Sequence, residues 1–291
     1  MNNKPITGHL TALITVLIWG TTFISTQILL DYLLPTEIIF VRYAIGYISL
    51  IICCPRFLKT TDKKHEFLFM GAAFFGLTLY QLLENTALTY TTANNVSIIT
   101  TLAPFFTALT SSIFLNAKAP KKPFYLGLVI SLLGVILISY LPNDNIKINP
   151  TGDVLALLAA AMWAAYSVFT KKISDAGYST LPATRRIFFY GLIFLAPLLL
   201  FTHPQVEVAT FSTPVVWGNL LFLGVCASAL CFVTWNYSIK LLGPIKSSVY
   251  IYMIPAATII TSAIFLNQPL TFQTIIGVIF VLAGLSLSQR K

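Results

Sequence analysis

Long apolar stretches joined by short polar connections occupy nearly the whole chain, and no polar stretch between them is long enough to form a soluble domain. A helix needs about 20 mainly apolar residues to cross the hydrocarbon core of a bilayer. The pattern therefore predicts an all-α, polytopic membrane protein with ten transmembrane helices. The predicted spans are residues 10–30, 35–54, 67–89, 95–115, 124–141, 154–171, 183–201, 215–238, 247–266 and 270–288.

One apolar segment occurs twice in the chain. The sequence PFFTALTSSIFLN at residues 104–116 returns as PAATIITSAIFLN at 255–267 in constant register. Internal similarity of this kind indicates that a chain is built from two copies of one unit. Other equivalent pairs extend the match to both ends of each copy: Trp19 with Trp163, Pro35 with Pro182, Gly127 with Gly277, and Gly134 with Gly284.

Basic residues define the orientation of the predicted spans. They concentrate in alternate connections, whereas the remaining connections hold only Lys147 and several acidic residues. A Lys/Arg excess in short loops marks the cytoplasmic side. We therefore predict a multi-pass protein of the cytoplasmic (inner) membrane with both termini in the cytoplasm. The basic connections contain Lys4, Arg56, Lys59, Lys63, Lys64, Lys118, Lys121, Lys122, Lys171, Lys172, Lys240, Lys246, Arg290 and Lys291.

The two copies are predicted to have opposite orientations in the membrane. We place them at residues 1–145 and 146–291 with five spans each, and an odd number of spans reverses the direction of the second copy. The loop after Asn116 carries three lysines, whereas the equivalent loop after Asn267 carries none. Inverted repeats related by a pseudo-two-fold axis in the membrane plane are a common transporter architecture.

Composition supports the membrane assignment and explains the net charge. Of the 291 residues, 57% are hydrophobic and 9% are charged, whereas a soluble domain has about 25% charged residues. The net charge of +9 lies in alternate loops, so it indicates membrane orientation and not nucleic-acid binding. The predicted partners are a small-molecule substrate and the lipid bilayer, with no nucleic acid. Protons are a further candidate partner, and the sequence leaves monomer and homodimer both open.

The sequence contains no signature of an enzyme. It lacks HExxH, GxSxG and a phosphate-binding glycine loop. The three histidines are scattered near span edges, and the four cysteines lie inside apolar segments without the spacing of a metal site. We therefore predict no cofactor, no metal site and no enzymatic activity. A channel and an intramembrane enzyme are the weaker alternatives to a carrier.

A set of short motifs covers nearly the whole chain. They are Ile18-Trp19-Gly20, Pro35 with Arg42, Ala87–Thr91 leading to Pro104, Leu242-Gly243-Pro244, Pro255, Phe265–Thr271, and Gly277 through Gly284. As a set they resemble the drug/metabolite transporter (DMT) superfamily, in particular its ten-helix EamA-type carriers. The resemblance implies a central cavity lined by spans 1, 3, 4, 6, 8 and 9, with spans 5 and 10 at the periphery. The glutamate that this family usually has after each repeated proline helix is replaced here by Ala117 and Gln268.

Two charged residues lie at membrane depth, Arg42 in the second span and Glu84 in the third. At a rise of 1.5 Å per residue, both are roughly 10 Å from the same membrane surface. An unpaired charge at the membrane centre costs at least about 2.5 kcal/mol, so we expect these residues to pair or to line a wet cavity. Three roles stay open for Glu84: a structural ion pair, a contact to a substrate amine, and a proton-coupling site.

Polar and aromatic residues supply further candidate substrate contacts. Gln81 and Asn85 share the third span with Glu84, Asn94 and Asn95 begin the fourth, and buried amides need partners. Aromatic side chains would suit a zwitterion with an apolar side chain or a cation, although they would equally suit plain packing. The aromatic candidates are Trp19, Trp163, Tyr166, Trp235, Tyr250 and Tyr252. The segment Trp235-Asn236-Tyr237 of the second copy corresponds to Glu84-Asn85-Thr86 of the first.

The prolines of spans 4 and 9 and the arginines of span 7 have predicted structural roles. Pro104 and Pro255 should kink spans 4 and 9, because a helix-interior proline removes a backbone hydrogen bond. Arg185 and Arg186 begin span 7 and are expected to extend toward the membrane surface, with capture of a substrate carboxylate as the alternative.

The sequence as a whole predicts a secondary transporter that moves a small organic metabolite by alternating access. By resemblance, export of an amino acid or amine across the cytoplasmic membrane is the leading case. A carrier of drugs, nucleosides or other metabolites, or an uptake carrier, is the alternative.

Overall fold

The computed structural model describes residues 4–60, 62–91, 93–139, 149–201, 213–265 and 272–288, and all regular structure in this part of the chain is helical. The α-helices are α1 Lys4–Leu30, α2 Pro35–Cys53, α3 Glu66–Ala72, α4 Tyr80–Tyr90, α5 Ala93–Thr100, α6 Ala103–Phe114, α7 Lys122–Ser139, α8 Pro150–Asp175, α9 Thr180–Phe201, α10 Pro214–Leu221, α11 Cys231–Leu242, α12 Pro244–Ser248, α13 Met253–Phe265 and α14 Phe272–Ser288. The π-helical stretches Ala73–Leu79 and Phe222–Leu230 join α3 to α4 and α10 to α11. Segments of 3-10 helix at Lys63–His65 and Val249–Tyr252 precede α3 and α13.

These helices follow the ten predicted spans. Six of the spans, formed by α1, α2, α3 with α4, α8, α9, and α10 with α11, are long and apolar enough to cross a membrane. The other four correspond to shorter or interrupted helices: α5 with α6, α7, α12 with α13, and α14. Exposed leucine, isoleucine, valine and phenylalanine side chains cover much of the outer surface, as a lipid-facing surface requires. The prediction of an all-α, polytopic membrane protein is confirmed.

Local sequence sets the helix boundaries. Pro35 begins α2, where its missing amide hydrogen is not needed. Glu37 accepts a hydrogen bond at 2.7 Å from the backbone amide of the residue before this proline. At the start of α8, the Asn149 side chain accepts from the amides of Thr151 and Gly152 at 3.1 and 3.3 Å. Such caps satisfy amides that have no partner within the helix.

The same helix irregularities occur in both copies of the repeat. The π-helical stretches end at Leu79 and Leu230, which are separated along the chain by the same distance as Pro104 and Pro255. Pro104 is the second residue of α6, just after the break that divides span 4. Pro255 is the third residue of α13, just after the 3-10 segment in span 9. Each proline therefore lies in the first turn of a new helix, where it costs no hydrogen bond.

The packing of α7 against α14 shows the inverted symmetry directly. A Cβ atom built on Gly127 would lie 2.5 Å from the carbonyl oxygen of Gly284, and one built on Gly134 would lie 2.6 Å from that of Gly277. Gly127 is equivalent to Gly277, so each glycine contacts the equivalent of the other. Reciprocal contacts of this kind arise from a two-fold axis. The two helices run antiparallel, as an inverted repeat requires.

The core lies between helices of both copies. Tyr43 on α2 packs edge-on against Phe188 on α9, with ring centroids 5.1 Å apart. Phe188 in turn packs against Phe232 on α11 at 5.3 Å. All three side chains are buried, so the aromatic contacts join the first copy to the second.

The helix ends define two faces of the molecule. The N-terminal face carries the start of α1 and the α2–α3 and α8–α9 connections, which meet through His65 Nδ1 and the Tyr178 hydroxyl at 2.8 Å. The opposite face carries the α1–α2 and α4–α5 connections, and there Asn149 Nδ2 donates to the carbonyl oxygen of Tyr90 at 3.1 Å.

Candidate functional site

A cavity lies where the two copies meet. It encloses about 550 Å³ of space between the atoms that line it. The first copy contributes α1, α2, α4 and the break between α5 and α6. The second contributes α8, α11 and the start of α13 with the preceding 3-10 segment. Transporters with inverted repeats hold their substrates at this kind of interface.

One wall of the cavity is a hydrogen-bonded row of polar side chains. Arg42 Nη1 donates to Gln81 Oε1 at 3.0 Å, and Gln81 Nε2 donates to Glu84 Oε2 at 3.3 Å. The Tyr80 hydroxyl donates to Glu84 Oε1 at 2.6 Å. Gln81 and Glu84 share a face of α4 because three residues make nearly one helical turn. All four side chains line the cavity.

Arg42 and Glu84 share this cavity without forming a direct ion pair with each other. The ion pairs among the described residues are Lys171 with Asp175 and Arg186 with Glu66. Gln81 separates the two cavity charges, so each retains hydrogen-bonding capacity toward the cavity. Their side chains are only 3% and 7% exposed, and desolvation strengthens the electrostatic interactions of such groups.

The second copy also holds the Arg42 side chain. Arg42 Nε donates to Ser228 Oγ at 3.1 Å, and Ser228 lies in the π-helical stretch before α11. π-Helical segments are frequent at functional sites because the added residue redirects the side chains around it. The guanidinium group is thus positioned by Gln81 from one copy and Ser228 from the other.

The facing wall of the cavity is aromatic. Trp19 and Trp163, which are equivalent in the repeat, meet edge-to-face with centroids 5.2 Å apart. Trp163 also lies 4.8 Å from Tyr80 and 6.0 Å from Phe232. Trp19 Nε1 donates to the carbonyl oxygen of Ala227 at 3.0 Å, which fixes its ring. The meeting of equivalent tryptophans places this wall at the pseudo-two-fold axis.

One indole on this wall has an unused hydrogen-bond donor. Trp163 Nε1 is buried and has no partner among the described residues, although its ring lines the cavity. An indole nitrogen can only donate, and a buried donor without an acceptor costs about 1–3 kcal/mol. A ligand oxygen in the cavity would relieve this cost after a small movement of the ring.

Several predicted site residues lie outside the cavity wall. Asn85 and Trp235 are buried at 1% and 0% exposure; Trp235 packs behind the wall, 5.2 Å from Trp19. Tyr166 is also fully buried, and its hydroxyl donates to Asn236 Oδ1 at 2.6 Å. A role for these residues in substrate binding stays a prediction.

The two tyrosines of span 9 also lie away from the cavity. Tyr250 forms a hydrogen bond of 2.7 Å with His9 Nδ1. Tyr252 is fully buried in a cluster with Ala108 and Val135, because the 3-10 segment directs it toward α6 and α7. The side chains of Asn94 and Asn95 lie outside the described residues.

The arginines at the start of α9 are engaged within the protein. Arg186 contacts both oxygens of Glu66, through Nη2 at 2.5 Å and Nε at 2.9 Å, and the Tyr190 hydroxyl donates to the same carboxylate at 2.7 Å. Arg185 donates to the carbonyl oxygen of Cys54. These bonds tie the start of α9 to the start of α3 and to the α2–α3 connection at the N-terminal face.

The residues that were not predicted from the sequence include Ser228, which holds Arg42, and Phe232, which lines the cavity. The internal repeat does contain a signal for Phe232. Glu84 is equivalent to Trp235, so Gln81, three residues earlier, is equivalent to Phe232. Both residues of this pair line the cavity.

Comparison with known families agrees with this architecture. The model of the EamA-like transporter family matches residues 6–140 and again residues 150–289. Both halves of the chain therefore match the same family, on either side of the predicted boundary between the copies.

Individual relatives are transporters by name. One from Archaeoglobus fulgidus, named an uncharacterized transporter, is 32% identical over the whole of this chain and 99% of its own length. A protein of Streptantibioticus cattleyicolor, named "Probable terminal-alkyne amino-acid exporter", is 23% identical over 96% of this chain and 92% of its own. A solved crystal structure has the same fold, with a TM-score of 0.79, 16% identity and 97% coverage of both chains.

Proposed function

We propose that this chain, which belongs to the EamA-like transporter family, exports a small amino acid or amine across the cytoplasmic membrane by alternating access. The observation that carries the proposal is the presence of Arg42 and Glu84 in one cavity without a direct ion pair.

The chemistry of the cavity favours a zwitterion. Glu84 suits an ammonium group, and Arg42 suits a carboxylate, for which guanidinium is the preferred partner. The aromatic wall of Trp19 and Trp163 offers apolar surface to a side chain and π-faces to a cation. Trp163 Nε1 is a further donor for a carboxylate oxygen. The amino-acid exporter among the relatives supports the same class.

The inverted repeat supports alternating access as the mechanism. Both copies contribute to the cavity, so movement of one copy against the other would expose it to either face in turn. The lysine and arginine distribution favours a cytoplasmic location for the N-terminal face.

Counterflow in proteoliposomes tests the substrate class. Three compounds with the same phenyl side chain separate the contributions of the ligand's ammonium and carboxylate groups. Phenylalanine carries both groups, phenethylamine only the ammonium group, and 3-phenylpropionate only the carboxylate. We expect exchange of phenylalanine and none of 3-phenylpropionate, because the latter places a carboxylate in the cavity without an ammonium group for Glu84. Exchange of phenethylamine would identify an amine carrier. Exchange of nucleosides or uncharged solutes without any zwitterion or amine would contradict the proposal.

Proton coupling at Glu84 is a second candidate role, favoured by the burial of this carboxylate among polar side chains. Glu84→Gln separates the roles when exchange is measured across pH, with Asp31→Asn, at an exposed carboxylate outside the cavity, as the matched control. Weaker substrate binding at every pH would identify a substrate contact. Retained transport with a flat pH profile would identify proton coupling. Retained transport with an unchanged pH profile would exclude both roles.

A further inference from the structure

The protein has a second pocket, and buried side chains lie between this pocket and the central cavity. The second pocket has about 240 Å³ of empty space between α8, α9 and α11. Its polar side chains are Thr170, Ser174, Tyr178, Thr180, Thr184 and Asn236. Thr170 and Ser174 lie in the last two turns of α8, so this pocket is near the N-terminal face. Arg42 lies in the half of α2, and Glu84 in the half of the span Lys63–Tyr90, that is nearer the opposite face.

A continuous row of side chains lies between the central cavity and the second pocket. Trp163 lines the central cavity, and its ring lies 5.0 Å from that of Tyr166. The Tyr166 hydroxyl donates to Asn236 Oδ1 at 2.6 Å, and Asn236 Nδ2 donates to Thr184 Oγ1 at 3.0 Å. Tyr166, Asn236 and Thr184 are at most 4% exposed. This row joins α8, α11 and α9, and it links the wall of the central cavity to the lining of the second pocket.

The equivalent positions in the first copy hold unpaired polar atoms. Asn85 is equivalent to Asn236, and Glu37 is equivalent to Thr184 because each lies two residues after one of the paired prolines. Asn85 Nδ2 and Glu37 Oε1 are buried and have no partner among the described residues. An amide donor and a carboxylate acceptor are complementary. The second copy forms a hydrogen bond between Asn236 and Thr184. At the equivalent positions of the first copy, a donor and an acceptor are therefore both present but not bonded to each other.

We propose that the second pocket is the vestibule through which the substrate passes at the N-terminal face, and that the Tyr166–Asn236–Thr184 row is its closed gate. The inference rests on the proposed alternating access but not on the identity of the substrate. When the vestibule opens, Asn85 donates to Glu37 and closes the opposite face. The hydroxyl and amide groups of the vestibule suit the same small polar molecules that the central cavity binds.

Thiol labelling of the full-length protein in detergent tests this gate without a substrate. Ala183→Cys reports on the vestibule, since Ala183 lines it and is 4% exposed. Thr22→Cys reports on the central cavity. N-ethylmaleimide incorporation at each position is followed by peptide mass spectrometry, so the native cysteines can remain. The gate is opened by Thr184→Val, and Thr107→Val is the matched control because the buried Thr107 hydroxyl has no partner among the described residues.

We expect Thr184→Val to raise the labelling rate at position 183 by about two- to tenfold, the effect of one hydrogen bond on an opening equilibrium. Labelling at position 22 should fall at the same time, because opening one face closes the other. Tyr166→Phe removes the other hydrogen bond of the row and should give the same pair of changes, even if Thr184→Val does not fold. Rates equal to those of Thr107→Val, or a rise at both reporters that indicates local loosening, would overturn the proposal.

Discussion

At the scale of single residues, an uncharged side chain organises the charges of the cavity. Gln81 accepts from Arg42 and donates to Glu84, so the two charges are linked without neutralising each other directly. A direct ion pair would reduce the capacity of each group to bind a ligand, because each charge would already have a strong partner. Gln81 therefore leaves each charged group without a direct ionic partner, as the proposed substrate binding requires.

We predict that Gln81→Leu destabilises the protein by about 1–3 kcal/mol, because Arg42 Nη1 loses its acceptor in a buried environment. Thermal unfolding of the purified protein in detergent measures the change. The variant should also lose the stabilisation by added phenylalanine that is expected of the wild type.

The matched control is Gln27→Leu, which makes the same substitution on the exposed part of α1. It should unfold within about 0.5 kcal/mol of the wild type, as surface changes usually do. Equal stability of the two variants would contradict the role assigned to Gln81.

The sequence could predict the charged residues of the site better than its neutral ones. Arg42 and Glu84 stand out because charges are rare in apolar spans, and the structure brings both to one cavity. Asn85 follows Glu84 directly and yet lies outside the cavity wall. The π-helical stretch before α4 changes which side chains face inward, and its composition does not differ from that of an ordinary apolar helix. The direction of Tyr252 depends on the 3-10 segment in the same way.

At the scale of elements, the sequence predicts the helices more reliably than their irregularities. Capping residues such as Asn149 and prolines at helix starts mark boundaries by simple rules. The break in span 4 was expected as a kink at Pro104, whereas the structure starts a new helix there. The deviation follows from the missing amide hydrogen of proline, which is tolerated in a first turn and not in an interior.

The contact between α7 and α14 yields a prediction about element packing. Gly134→Ala places a Cβ atom 2.6 Å from the carbonyl oxygen of Gly277, so the two helices must separate. We expect a loss of about 1–3 kcal/mol, which is typical of overpacking, measured as a lower thermal unfolding midpoint in detergent.

Gly218→Ala on α10 is the control, because a Cβ atom there would contact no other atom within 4 Å. Alanine has the higher helix propensity, so this variant should keep or gain stability. If Gly134→Ala unfolds at the same temperature as Gly218→Ala, the close glycine packing of the two helices is contradicted.

At the scale of the whole molecule, the inverted repeat explains the location of the site. Equivalent elements from the two copies meet at the central cavity, most clearly at Trp19 and Trp163. The copies have diverged at the cavity, since Gln81 of the polar wall is equivalent to the aromatic Phe232. One copy therefore provides most of the polar wall, and the other provides aromatic surface. The proposed alternating access requires these copies to have opposite directions in the membrane.

The most direct measurement of this arrangement is the sidedness of two equivalent residues. Lys122 begins α7 and Phe272 begins α14, and both are exposed. Single substitutions Lys122→Cys and Phe272→Cys, in a background where Cys53, Cys54, Cys226 and Cys231 are replaced, are labelled in intact cells with a membrane-impermeant maleimide. We predict that the reagent labels position 272 from outside and reaches position 122 only after the cells are opened. Labelling of both positions from the same side would contradict the inverted repeat, and with it the transport mechanism proposed for this protein.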